Sequence, residues 1–272
     1  MKTSRASATW AGGFGRRPLP YLYNGDAAPA FTQISANGYG AVELLLSDSN
    51  YLSIETLQGL LDHNNLALSA IGTGGAAVTH SLTLSSPAAA VREQAESFIR
   101  GIIDLAGHFG AGTILGSVIG MTGIDETREQ ALSRIIPIIG RLSDYAAAHG
   151  SLLLIEPLNR YESNLLNRID QGLDLIHRVG SINVKILADC FHMNIEEPSI
   201  GDSIRRAAEM IGHVHLSDSN RCAAGLGHID YAHISEALSS IDYNGFISME
   251  ACPMPDPDTA AKKAISTYHR FF

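Results

Sequence analysis

Four short aliphatic runs in the second half of the chain each end on a side chain that can bind a cation or carry a proton. "LLLI" runs into Glu156, "VKILA" into Asp189 and "GFISM" into Glu250, while "HVHLS" carries His215 near its end. A carboxylate that closes a buried strand is strongly destabilising unless positive charge meets it. If the four runs are successive strands of one parallel sheet, their ends reach a single point. Three carboxylates and one imidazole gathered there repel one another until a cation joins them. Oxygen-rich coordination with one nitrogen suits a hard divalent ion, with Mn²⁺ expected first and Mg²⁺ or Co²⁺ as alternatives. Four protein ligands leave room in an octahedral shell for two substrate oxygens, the arrangement that holds a hydroxy-carbonyl compound.

Each group alone has a simpler reading. An acid at a strand end often caps the following helix, and a barrel histidine is usually a hydrogen-bonded core residue. The agreement of four successive strand ends favours a shared site. His213 and His215 alternate onto one face of their strand. His215, nearer the C-terminal end, is taken as the ligand, and His213, one layer deeper, as structural.

The elements that must deliver these residues alternate regularly. Strands are predicted at Ser7–Ala11, Gly40–Leu45, Leu66–Ile71, Thr113–Gly116, Ser151–Glu156, Val184–Asp189, His213–Ser217 and Gly245–Glu250. Helical patterns fill the intervals at Ala28–Asn37, Ser53–Asn64, Pro87–Gly110, Glu126–His149, Asp170–Val179, Gly201–Met210, Tyr231–Ser240 and Asp258–His269. Pro87 suits a helix first turn, and Gly110 and Gly150 stand where helices should stop. Eight strand–helix units with nearly continuous apolar strands predict an α/β fold, a closed (β/α)₈ TIM barrel forming a single domain over residues 1–272. A doubly wound open sheet is the competing fold, but "AGGFGRRP" after the first strand is no dinucleotide fingerprint. No low-complexity or Pro/Ser-rich linker marks a boundary.

Composition narrows the partners. The chain has 272 residues, 45% of them hydrophobic and 17% charged, which describes a soluble globular protein. A formal net charge of -9 without any basic run argues against nucleic acid or an anionic membrane as partner. No apolar stretch is long enough to span a bilayer, and "MKTSRASATWAGG" lacks the apolar core of a secretory signal. Cys190, Cys222 and Cys252, an odd number with no CxxC pair, suggest reduced thiols and a cytoplasmic location. Each lies within two residues of a position singled out here. They read as small buried fillers, or as points where thiol reagents or soft metals would disturb the site.

The stretches "IEPLNRYESNLLN", "ADCFHMNIEE", "HVHLSDSNR" and "ISMEACP" resemble the xylose-isomerase-like TIM barrels, the sugar phosphate isomerase/epimerase superfamily, and most of all its D-tagatose 3-epimerase and D-psicose (allulose) 3-epimerase type. The resemblance is dense from about residue 151 to 252. "GYGAVEL" and "GTGGA" fit the second and third strand ends loosely, with Glu43 as an acid near the mouth. The "TWAGGFGRR" segment departs from the apolar loop of the ketose epimerases. The resemblance implies the same four metal ligands, Glu156, Asp189, His215 and Glu250. It adds substrate contacts at Glu162, His192 and Arg221, and a homo-oligomer, dimer or tetramer.

With that resemblance the expected activity is a metal-dependent isomerase, a ketose 3-epimerase. Glu156 and Glu250, from strands three steps apart, would exchange a proton at carbon 3 of a free ketose through a cis-enediolate. The glycine loop "GLGHIDY" lacks the partners of a phosphate loop and reads as a turn into the seventh helix with Asp230 as N-cap. Only Arg160, Arg168 and Arg221 are basic near the mouth, which favours a free sugar over a sugar phosphate. An aldose–ketose isomerase or inosose-type isomerase or dehydratase could use the same site. A metal-dependent endonuclease would need more ligands and a basic groove, and a non-catalytic sugar-binding protein would lack the acid/base pair.

Overall fold

A computed structural model describes residues 5–15 and 20–272, so Met1–Ser4 and Arg16 and Arg17 of "TWAGGFGRR" lie outside the described residues. The strands are β1 (Ala6–Gly12), β2 (Tyr23–Asn24), β3 (Ala41–Leu46), β4 (Ala67–Gly72), β5 (Gly112–Leu115), β6 (Leu152–Ile155), β7 (Val184–Asp189), β8 (Ile211–Leu216) and β9 (Ile247–Met249). All pairings are parallel. β1 pairs with β3 on one side and with β9 on the other, where Ser7 stands opposite Ser248, so the sheet closes. Two residues of β2 extend it beside Trp10 and Ala11. This is the expected eight-stranded barrel, with β2 as an added ribbon.

The helices are α1 (Ala27–Ala36), α2 (Ile54–Asn64), α3 (Gly74–His80), α4 (Ala89–His108), α5 (Arg128–His149), α6 (Ile169–Val179), α7 (Cys190–Glu196), α8 (Ile200–Ala207), α9 (Tyr231–Ser240) and α10 (Pro257–Phe271). Their starts are written in local chemistry. Thr127 and Gln130 form a reciprocal capping box on α5, with the Gln130 Oε1 accepting from the Thr127 N–H at 2.8 Å. Gly150 ends α5 at φ +80°, a conformation that glycine adopts without strain. Among the described residues no helix is long and apolar enough to cross a membrane.

Several boundaries differ from the sequence reading. α4 starts at Ala89, two residues beyond Pro87. The Gly201–Met210 pattern breaks after Ala207, because Ala208 takes a positive φ and opens a 3₁₀ turn. β9 is three residues long, shorter than the predicted strand, and Glu250 stands just beyond it. α3 and α7 are short helices that start directly from β4 and β7. The opening "GG" of α3 reads as loop, yet Gly75 is required there because any Cβ would strike the Leu46 carbonyl.

The period-two alternation of the strands divides the core. Outward residues such as Leu44, Leu153, Ile186 and Val214 join one large apolar cluster with the helices. Inward residues Ala70, Ile114, Leu154 and Leu187 form a separate small cluster. Glu156 and Asp189 are each two residues beyond one of these plugs, hence on the inner face and one layer higher. On the other half of the barrel the inner layers are polar. Ser7 and Ser69 share a hydrogen bond at 2.7 Å, and Thr9 donates to the Met249 carbonyl at 2.8 Å.

The helix layer carries the stability. Ile135→Ala, at a fully buried position of α5, is expected to lower the unfolding free energy by about 2–5 kcal/mol in a urea titration. Ile124→Ser, at a fully exposed side chain, should stay within about 0.5 kcal/mol of the parent.

Candidate active site and metal centre

At the C-terminal mouth of the barrel, β6 to β9 bring Glu156, Asp189, His215 and Glu250 together. One donor atom from each lies within 4.8 Å of all the others, and all four residues are buried. His215 Nδ1 stands 3.3 Å from Glu250 Oε2, 3.5 Å from Asp189 Oδ2 and 3.7 Å from Glu156 Oε1. That nitrogen has no hydrogen-bond partner despite being buried. An unsatisfied nitrogen aimed at three carboxylates is the donor set a hard divalent cation requires, and these residues fit one.

The other ring nitrogen explains the aim. His215 Nε2 lies 3.0 and 3.1 Å from the two oxygens of Glu43, which also accepts from His213 Nε2 at 2.7 Å. Glu43 sits fully buried below the mouth and does not reach it. It therefore holds the proton of His215 on Nε2 and leaves Nδ1 to face the carboxylates, the usual arrangement behind a metal-binding imidazole. His213, one layer deeper, completes this pair. Both histidines face inward because they stand two residues apart on β8, opposite Leu187 and Asp189 of β7.

The electrostatics of the cluster follow from its crowding and burial. Burial and the neighbouring Glu250 push the Glu156 carboxyl well above the usual carboxylate range. Burial acts the same way on Asp189, but Arg221 and His192 outweigh it and hold that carboxyl low. Burial disfavours a charged His215, yet Glu43 and Glu250 overcome this and raise its pKa well above the ordinary imidazole value. For Glu43, burial is likewise overcome by His215 and His213, and its carboxyl lies far below the usual range.

Asp189 does two jobs that were weighed as alternatives. Its Oδ1 caps α7, accepting from the N–H groups of Phe191 at 2.7 Å and His192 at 3.3 Å, while Oδ2 faces the cluster. Arg221 donates to both Asp189 oxygens at 2.9 and 2.7 Å and pairs with Glu250. Its guanidinium lies 4.6 Å from the Phe191 ring centre. Arg221 adopts φ +61°, a strained conformation held by its loop. Asp218 knits that loop, accepting backbone N–H groups from Ser219, Gly225 and Ile229. The glycine loop thus wraps a carboxylate of its own chain, and Asp230 caps α9 through the His233 N–H at 3.1 Å.

His192 and Glu162 also line the pocket. Asn159, buried in the β6 loop, donates its backbone N–H and its side-chain amide to His192 Nδ1, at 3.2 and 2.7 Å. The same amide donates to Glu162 Oε1 at 2.8 Å. Nδ1 is therefore the acceptor, and Nε2–H points at Glu156 and Asp189, each 3.9 Å away. Arg160 and Arg168 are engaged elsewhere, by Glu196 and Asp170, leaving Arg221 as the one guanidinium lining this pocket among the described residues. Cys190 fills the core, where burial pushes its thiol up; Cys222 and Cys252 are partly buried, and all three are free thiols.

With this geometry in hand, the relatives can be placed. Residues 31–270 match the family described as xylose isomerase-like TIM barrel. The chain belongs to that family. Within it, the chain is similar to the D-psicose 3-epimerase of Agrobacterium fabrum, 32% identical over 229 residues that cover 82% of this chain and 78% of that protein. It is 41% identical to the L-ribulose 3-epimerase of Mesorhizobium japonicum over 164 residues, 60% of this chain and 54% of that one. A crystal structure of D-allulose 3-epimerase from Methylomonas sp. with D-allulose superposes with a TM-score of 0.83 at 25% identity, covering 97% of both chains. The family member described here is an enzyme of the epimerase and isomerase kind.

Sequence reasoning missed the supporting residues of this family member. Asn159 and Asp218 sit in segments whose asparagine, aspartate and glycine content signals turns, and that signal hides their side-chain partners. Gly116 is another. A Cβ there would collide with Glu156 Oε2. Removing the charge behind His215 tests the centre: Glu43→Gln is expected to weaken Mn²⁺ binding by about 10–100-fold in a titration followed by the EPR signal of free Mn²⁺. A parent-like affinity would separate Glu43 from the centre.

Proposed function

We propose that this enzyme is a divalent-metal-dependent ketose 3-epimerase acting on an unphosphorylated ketose. The observation that carries the reading is the pair of buried glutamates, Glu156 after β6 and Glu250 after β9, flanking one shared donor cluster. Glu156, Asp189, His215 and Glu250 would hold the ion, with Mn²⁺ the best fit to three oxygens and one nitrogen. Bound there, the ion supplies a Lewis acid for negative charge developing on the substrate oxygens.

The protein's own groups account for the remainder. Glu156 takes the hydrogen of carbon 3 as a proton, leaving a cis-enediolate, and Glu250 delivers a proton to the opposite face. The roles exchange in the reverse direction, and solvent resets both groups between turnovers. Arg221 and the Nε2–H of His192 donate to the oxygens of carbons 1 to 3, and Glu162 accepts from a hydroxyl at the rim. The short supply of cations among the described residues supports an unphosphorylated substrate, since Arg221 is already shared between Asp189 and Glu250. A cytoplasmic homo-oligomer is part of the same reading, as the family resemblance implies.

Proton NMR in D₂O tests the scheme. With Mn²⁺ added, deuterium is expected at carbon 3 of an inverted ketose from a panel of D-fructose, D-tagatose, D-allulose and L-ribulose. Chelation should abolish the exchange and Mn²⁺ should restore it. Glu156→Gln and Glu250→Gln should each lower turnover by about 10²–10⁴-fold while keeping the parent circular dichroism. Label at carbon 1 or 2 with an aldose formed would replace this reading with an aldose–ketose isomerase.

A further inference from the structure

The pocket above the metal ligands has two unlike walls. Among the described residues, every charged group that lines it, Glu156, Glu162, His192, His215, Arg221 and Glu250, comes from β6 to β9 and the loops that follow them. The facing wall, built on β3 to β5 and α3, offers Leu45, Gly72, Thr73, Val78, Ile114 and Ser117. A ketose whose reacting carbons lie against the charged wall must direct its other end toward this second wall. The chamber is small, about 160 Å³, well below the roughly 300–1,000 Å³ of an ordinary ligand cleft.

That second wall is not closed. Val78, Ser117, Leu158 and Glu162 are shared with a neighbouring cavity of about 730 Å³ that runs between α3 and the loops after β5 and β6. Its lining has the mixed character that saccharides require. Thr83, Ser86 and Thr122 offer hydroxyls, while Val78 and Met121 are apolar side chains left 40% and 52% exposed beside them. Exposed apolar side chains rimmed by hydroxyls suit a pyranose ring, whose faces present C–H groups and whose edge presents hydroxyls. Charge excludes the other obvious occupant. Asp125, Glu126 and Glu162 line this cavity and, among the described residues, no lysine or arginine does. A phosphate or carboxylate there would face the carboxylates of Asp125 and Glu162, while the nearby Arg134 is already engaged by Glu126 and the Ser85 carbonyl.

We propose that the cavity is a subsite for a neutral glycosyl substituent, so that this enzyme acts on a ketose glycosylated on its far end, at carbon 4 to 6, in preference to the bare ketose. The inference rests on the epimerase reading for which end of the substrate faces the metal ligands. The cavity then seats the second ring, with Val78 and Leu158 under the linkage and Met121 against the ring face.

Two independent readouts test it. Binding is measured by calorimetric titration of the Mn²⁺-loaded protein with 6-O-α-D-glucosyl-D-fructose and, separately, with D-fructose. The disaccharide is expected to bind about tenfold or more tightly. Met121→Trp, which fills the cavity from an exposed position, should reduce that preference to less than about threefold. Thr122→Trp is the second variant, since its backbone bonds to Asn164 do not involve its own side chain. Equal or tighter binding of D-fructose would overturn the subsite, as would a disaccharide preference that neither tryptophan variant reduces. Deuterium exchange at carbon 3 is followed on the same two sugars. Binding preference without exchange in either sugar would sink the epimerase reading and leave the subsite standing. Exchange in D-fructose with no preference for the disaccharide would do the reverse.

Discussion

Three buried carboxylates around one imidazole are mutually repulsive, and much of the mouth of this barrel is arranged to keep them there. The closed sheet makes the crowding unavoidable, because parallel strands deliver their ends to one rim and the inner face holds every second residue. Leu154 and Leu187 plug the barrel beneath Glu156 and Asp189. The acids stand on packed apolar side chains that close the barrel beneath them. The burial that raises Glu156 also makes the cluster receptive to a cation, since a divalent ion removes the repulsion and the desolvation penalty together.

Around this centre the chain spends polar residues on orientation. Glu43 settles which nitrogen of His215 faces the acids, Asn159 does the same for His192, and Arg221 ties Asp189 to Glu250. Each of these contacts is buried or nearly so, where a hydrogen bond is stronger and a missing partner more costly than at the surface. The strained backbone of Arg221 belongs to the same economy of positioning. Asp218 organises the loop from below, and Phe191 covers the guanidinium from the side. Glycines serve the site by yielding space, most directly Gly116 beside Glu156.

The two halves of the mouth divide the labour. Strands β6 to β9 hold the chemistry, and the side formed by β3 to β5 with α3 holds small and apolar groups and opens sideways. On the reading proposed above, one half sets the reaction type and the other the substrate range. This matches the way the barrel architecture varies function through its loops while the strands stay constant.

Much of this was legible in the sequence. The alternation of strand and helix, the closed parallel barrel and the meeting of Glu156, Asp189, His215 and Glu250 at the strand ends all follow from local periodicity and from the rule that parallel strands share a rim. The short helices α3 and α7 were not legible, because "GGAAVTH" and "CFHMNIE" are too brief for a helical period to stand out. Nor was the role of Glu43, which meets His213 across 170 residues of chain. A strand's period says which face a side chain takes, and nothing about what stands opposite once the sheet has closed. The sequence by itself determined the chemistry available at the rim. Only the tertiary structure decided which nitrogen faces which oxygen, how Asn159 and Asp218 brace the loops, and where the pocket opens, because those are contacts between segments that meet only on closure.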